Sequence, residues 1–474
     1  MSIFLPARTL PPAAGLLAAW LAISASLLPA AAQEPAAAGP PKYSSWSQVE
    51  NAKETRDYVE RIGDGGRFDA SAKNFLDEIA LPQLGLDENR ATIETTRRRI
   101  RERLLATISA SETLDQANAH VMRAMLELAG NAAEPPVVRV NAVLLIGELD
   151  AKEERPWPEA VGTLVKILTS QKAPPELRVA AMAGLARHVE AASRGDPATA
   201  ALARGVVPAI LGLFGESAGN DATAASSARR AGLDWMIARG LRMLPTLLPK
   251  APPQVATAVA GVIADESRPF DLRVRAAAAL GTTVDKASGV DVSAVAGSIA
   301  ALARAALAAD EAVVARREFE QEYILGDSPR PGAGGGRFRP MGPGRFPEAG
   351  ELPAGPPLLA EAMLERDAWR LVTLADALAP ADGERGLAAV AGDEAAESIR
   401  SQAGRLRAAG RQLAENPDVR ALRDAIESIA AAAAGPADGG GEPAAAAEPG
   451  GDTGNDDAAP ASPFDGGGFN PFSQ

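Results

Sequence analysis

Three stretches of this chain are nearly the same: "PPVVRVNAVLLIG" (135–147), "PPELRVAAMAGLA" (174–186) and "RPFDLRVRAAAALG" (268–281). A recurring segment constrains a fold strongly, because every copy must solve the same packing problem. Aligned on the arginine, the copies fall at Arg139, Arg178 and Arg273, with a degenerate one at Arg229 that has lost its proline. Successive arginines are 39, 51 and 44 residues apart. Pro135, Pro174 and Pro269 sit four positions before their arginines. Apolar or small residues follow at +3, +4, +7 and +8, as in Ala142, Val143, Ile146 and Gly147. That spacing lines one side of a helix with 3.6 residues per turn. Proline suits such a start, since its missing N–H would be an orphan donor there anyway. Small residues at +3, and at +8 in three copies, allow a neighbouring helix to approach closely.

A second apolar-periodic run precedes most copies, at 157–171, 206–216 and 254–266. Each ends in a polar or Pro-rich turn. A helix, a turn and a Pro-started helix, recurring at roughly 40–50 residues, is the signature of an α-solenoid, in which stacking supplies the core that one pair cannot build. Composition points the same way. Aromatics make up only 4 % of a chain rich in Ala, Leu and Arg, and windows of alternating β-branched residues are absent. The expected class is all-α.

The Pro-x-x-x-Arg-x-x-Ala pattern closing on Leu-Gly, clearest in "DLRVRAAAALG", resembles the second helix of HEAT (armadillo-type) repeats, over about 135–285. The resemblance implies a curved stack of antiparallel helix pairs that serves as a scaffold, and it implies no reaction. It also implies an Asp at each turn, pairing with the Arg in a ladder between neighbours. Here the positions before Pro are Glu134, Ala173 and Arg268, so that half of the ladder is irregular. The helical phase nevertheless places Arg139, Arg178, Arg229 and Arg273 along the buried stripe. An unpaired buried guanidinium is very costly, so each stem is expected to pack while its head reaches backbone carbonyls, a carboxylate or the open end of the stack.

The ends read differently. Residues 1–32 hold one charge, Arg8, an apolar run from Ala13 to Leu28, and Ala30–Ala32 before Gln33. This is the layout of a cleavable secretory signal peptide, too short and diluted for a membrane span. The expected address is secreted or periplasmic, with no membrane span after signal removal. With no Cys in the chain, neither a lipid anchor nor disulfides are available. Residues 33–43 read as a linker and 44–325 as the solenoid, with helical stretches near 44–62, 69–80, 88–109 and 113–130 before the first clear copy. At the far end, 293–307 and 311–325 are expected to form one more pair. Residues 326–357 are Gly/Pro/Arg-rich and read as a disordered loop. Helical patterning resumes over 358–434, as a cap of the stack or a small domain, and 435–474 read as an acidic disordered tail.

Catalytic patterns are nearly absent. The two histidines, His120 and His188, form no metal motif, and phosphate-loop, dinucleotide and nucleophile-elbow patterns do not occur. The expectation is a non-enzyme without cofactor or metal. The net charge of −13 argues against nucleic acid as a partner. Three segments carry candidate interaction residues. In "RRRIRER" these are Arg97, Arg98, Arg99, Arg101 and Arg103, either a solvated helix face or a patch for an anionic polymer. In the loop they are Arg337, Phe338, Arg339, Arg345 and Phe346. In the tail they are Phe464, Phe469 and Phe472, aromatics unusual in such an acidic segment. The functional expectation is an exported, non-catalytic HEAT-like scaffold for a protein or peptide. The alternative is a structural envelope or matrix component that binds an anionic polymer through its Arg-rich segments.

Overall fold

The computed structural model describes residues 42–152, 155–192, 197–216, 224–326 and 359–433. The leader 1–32, all of the linker but Lys42 and Tyr43, the loop from 327 onward and the tail 435–474 lie outside the described residues. The described part of the protein is all-helical. Among the described residues there is no strand, only an isolated bridge between Asp150 and Pro156.

Short helices come first: α1 (Trp46–Asn51), α2 (Lys53–Gly63), α3 (Ala70–Phe75) and α4 (Ile93–Arg99). One continuous helix was expected over 44–62, but the chain breaks at Ala52, whose ψ of 148° is extended. Wide π turns then carry Leu76–Ala80 and Ile100–Leu105, and tight 3-10 turns carry Leu81–Leu84, where Pro82 and Gly85 interrupt regular helix, and Asp87–Thr92. Asp69 caps α3 by accepting from the Ala72 N–H at 2.9 Å.

Longer helices follow in hairpins: α5 (Ser111–Gly130) with α6 (Pro136–Glu148), α7 (Glu159–Thr169) with α8 (Pro175–Ala191), α9 (Pro197–Phe214) with α10 (Ala224–Leu247), and α11 (Pro253–Ala264) with α12 (Phe270–Thr283). The repeated prolines act alike. Pro135, Pro174 and Pro269 are the N-caps of α6, α8 and α12, with φ of −56°, −54° and −56°. Each carbonyl accepts the N–H of the repeat arginine at 3.2–3.3 Å, which closes the first turn.

Residues 293–307 and 311–325 do not form a pair. They belong to one helix, α13 (Val292–Gly326), because Ala308-Ala309-Asp310 between them contains no breaker and Ala is the best helix former. Helix α13 packs on α14 (Leu359–Leu378) and on α17 (Val419–Ala433), and α15 (Leu387–Val390) and α16 (Asp393–Glu415) are the other described elements of this end. Within α13, Val292–Arg316 is long and apolar enough, by length and composition, to cross a membrane. Its Val295, Ile299, Leu302, Ala303, Leu307 and Val314 are buried inside the molecule.

Packing is sequential. The second helices touch in order, α6 on α8, α8 on α10, α10 on α12, α12 on α14 and α14 on α16. The first helices do the same, α7 on α9, α9 on α11, α11 on α13 and α13 on α17. Small residues set the closest approaches. A Cβ on Gly147 would lie 2.6 Å from the Gly184 Cα, and one on Gly281 would lie 2.5 Å from the Ala377 carbonyl oxygen. The +8 glycine is therefore where a neighbouring backbone sits.

Candidate functional site

The repeat arginines come first, since sequence reasoning singled them out. Arg139 Nε donates to the Ala129 carbonyl at 2.8 Å, Arg178 Nε to the Leu168 carbonyl at 2.7 Å, and Arg273 Nε to the Ile263 carbonyl at 2.8 Å. Each acceptor is the penultimate residue of the preceding helix. The last carbonyls of a helix have no internal partner and form the negative end of its dipole. The arginine thus caps the first helix of its own pair, which is the carbonyl option among those open from the sequence. Arg178 adds a forked contact, with Nη1 and Nη2 donating to Glu216 at 2.9 and 2.5 Å.

Arg229 departs from the pattern. It is exposed, because α10 starts at Ala224 and its buried stripe begins only at Leu233, a turn further on. The carbonyl of Phe214, the last residue of α9, is taken instead by Arg268 Nη2 at 2.9 Å. Arg268 also binds Asp265 at 3.1 Å and approaches Asp234 at 3.7 Å. The irregular residue before Pro269 therefore supplies the cap that the degenerate copy lacks.

Another set of arginines, not anticipated from spacing, bridges successive second helices. Arg187 donates to the Gly147 carbonyl at 3.2 Å and pairs with Asp150. Arg239 pairs with Glu190 at 3.1 Å, and Arg407 donates to the Ala379 carbonyl at 2.7 Å and Asp376 at 2.8 Å. Their sequence intervals are unequal, so no periodicity announced them.

The basic cluster is split by burial. Arg97 is buried, its Nε donating to Glu148 at 3.0 Å and Nη1 to Asn141. It fastens α4 to α6 and is not available to an anionic partner. Arg98 and Arg103 are exposed, Arg99 is part-buried, and Arg101 contacts Glu102 at 3.2 Å. Residues Arg337, Phe338, Arg339, Arg345, Phe346, Phe464, Phe469 and Phe472 lie outside the described residues.

The surface of the second helices holds what sequence reasoning missed. Trp235 on α10 is 43 % exposed and Trp369 on α14 is 40 % exposed, whereas Trp46 and Trp157 are buried. On α12, which packs between α10 and α14, the Arg275 guanidinium stands 5.5 Å from the Trp369 ring centroid. At 100° per residue, Trp235 lies opposite Leu233, Met236, Ile237 and Gly240, and Trp369 lies opposite Leu371, Leu374 and Leu378. The signal was available: both tryptophans fall out of phase with the apolar stripe of their own helix. The two rings stand on either side of α12, each a little under half exposed.

Among the described residues no group of three or more His, Cys, Asp or Glu is placed to hold a metal. His120 Nε2 contacts Asp77 Oδ1 at 2.8 Å, and its ring meets Phe68 edge-on at 5.5 Å. His188 is 6 % exposed, and burial pushes its pKa down to about 4, so the imidazole is neutral. A buried ionic cluster joins the C-terminal helices to the rest. Arg370 donates to Asp271 at 2.7 Å, to Asp310 at 2.8 Å and to Asp367 at 2.6 Å. Asp367 is fully buried, and burial, followed by the neighbouring Asp310 carboxylate, raises its pKa to about 7.

No family model matches this chain, and neither a curated protein nor a solved structure is significantly similar to it.

Proposed function

We propose that the chain is an exported α-solenoid of HEAT-like helix pairs, and that the outer surface of its second helices docks a protein or peptide. The observation that carries this reading is the pair of exposed tryptophans, Trp235 and Trp369, flanking α12 with Arg275 stacked on one of them. Tryptophan and arginine dominate binding hot spots, since they combine large apolar area with a directed polar contact. The architecture is supported by the ordered contacts of α6, α8, α10, α12, α14 and α16, and by the shared cap of Arg139, Arg178 and Arg273. The occupant best suited to this face carries apolar side chains next to a carboxylate, the group that Arg275 can hold while its other face lies on Trp369. Export rests on residues 1–32 alone. The anionic-polymer reading is weakened by Arg97, which is withdrawn from the surface.

The test is a pull-down from an extracytoplasmic fraction with the mature chain and with a Trp235→Ala/Trp369→Ala variant. A discrete partner that binds the first and not the second, with both equally stable, supports the reading. Equal capture by both, or capture that collapses with salt alone, contradicts it.

A further inference from the structure

The surface that carries the two tryptophans also has a sign. On α10 and α12, Arg229, Arg242 and Arg275 are exposed, and among the described residues of these helices no carboxylate is. Their acids, Asp234 and Asp271, are part-buried and turned to other arginines. Asp234 lies 3.7 Å from Arg268, and Asp271 accepts from Arg370 at 2.7 Å. Arg242 follows Trp235 by seven residues, two turns along the same side of α10, and the Arg275 guanidinium stands 5.5 Å from the Trp369 ring centroid. In a chain of net charge −13, this is a local positive strip flanked by large aromatics. Such a strip selects an occupant in which carboxylates and aromatic rings occur together.

The chain itself carries that combination. Residues 435–474 hold seven Asp or Glu and no Lys or Arg, and yet three Phe, at 464, 469 and 472, the first beside Asp465. Segments so acidic ordinarily lack aromatics. The lengths also agree. Packed helices stand about 8–10 Å apart axis to axis, so α10 and α14, on either side of α12, are about 16–20 Å apart. At about 3.3 Å per extended residue, Phe464 and Phe469 reach across about 17 Å, and Phe464 and Phe472 across about 27 Å. From Ala433, where α17 ends, to Phe464 the chain can extend about 100 Å. Helix α17 is joined to α10 through α16, α14 and α12, a path of roughly 40 Å. We propose that the chain's own segment Phe464–Phe472 covers the tryptophan face, with Phe464 against Trp369, Asp465 on Arg275, and a later Phe against Trp235. This inference rests on the reading of that face as a peptide-docking surface and names its occupant. The segment then competes with any partner for the face.

The experiment is fluorine NMR of the mature chain labelled with 5-fluorotryptophan, compared with a Phe464→Ala/Phe469→Ala/Phe472→Ala variant. The substitutions touch no described helix. Residues 33–474 contain Trp46, Trp157, Trp235 and Trp369, which single Trp→Phe variants assign. In the variant the Trp235 and Trp369 resonances should move, and their solvent isotope shifts between water and heavy water should grow. The buried Trp46 and Trp157 should stay in place, which also controls for the fold. The differences should persist on about ten-fold dilution, as an intramolecular contact requires. Unchanged Trp235 and Trp369 resonances, or equal movement of all four, would overturn the proposal. So would differences that vanish on dilution, which would assign the segment to a second copy. A negative result here leaves the docking face itself to the pull-down, whose variant removes the rings and not the tail.

Discussion

Replacing Arg273 by Ala tests the capping role directly. Arg273 is 6 % exposed, and its one assigned bond is to the Ile263 carbonyl at 2.8 Å. Burial lowers its pKa, as expected of a guanidinium held away from water. Truncation leaves the carbonyl near the end of α11 without a donor, which costs about 1–3 kcal/mol. It also removes a buried stem of roughly two lost methylenes at about 0.8 kcal/mol each. The sum is about 3–5 kcal/mol. Arg273→Met restores the stem without the donor, so its loss should be about 1–3 kcal/mol, the carbonyl alone. Helix arrays need not unfold in a single step, so the assay is hydrogen exchange of α11 and α12 in the native state rather than one global melt. Arg229→Ala is the control, since Arg229 is exposed and its loss should fall within about 0.5 kcal/mol. If Arg273→Ala and Arg229→Ala accelerate exchange equally little, the capping argument fails.

Other perturbations have definite outcomes. Gly281→Ala places a methyl 2.5 Å from the Ala377 carbonyl, which is backbone and cannot move aside, so α12 and α14 should separate at a cost of about 1–3 kcal/mol, read as faster exchange in both helices. Asp367, at 3.8 when unfolded and about 7 when folded, holds its proton in the fold, so its contribution is full below about pH 4 and is lost as pH rises to about 7. His188, at 6.5 unfolded and about 4 folded, acts in the opposite sense, its contribution being present above about pH 6.5 and lost as pH falls toward 4. The two slopes cancel between about pH 4 and 6.5, so denaturation midpoints should rise with pH there in Asp367→Asn and fall in His188→Gln; no divergence between the variants would remove both assignments. The Trp235→Ala/Trp369→Ala variant should melt within about 1 °C of the parent, because neither ring packs in the core, whereas a drop of many degrees would mark both as structural.

Much of the local structure was legible because it depends on neighbours in the chain. The Pro-started helices and the +8 glycine contact follow from helical phase and steric size. Where reading failed, the deciding partner was distant. Arg97 lies among arginines that sequence alone renders as a charged face, yet Glu148 and Asn141, more than forty residues on, draw it inside. Arg229 kept the helical phase but lost its proline, and the earlier start of α10 carried it out to solvent. The tryptophan face had a local signal, namely Trp out of phase, but an exposed ring becomes a surface only when α10, α12 and α14 lie side by side.

What the amino-acid order determined alone is the all-helical class and the place of most turns, because hydrogen bonds four residues apart, proline geometry and apolar periodicity are local interactions. Which arginine caps which helix, which one is buried, and which carboxylates crowd around Arg370 were decided by tertiary structure. Those outcomes depend on desolvation and on partners brought in from 10 to 99 residues away, and no local pattern encodes either.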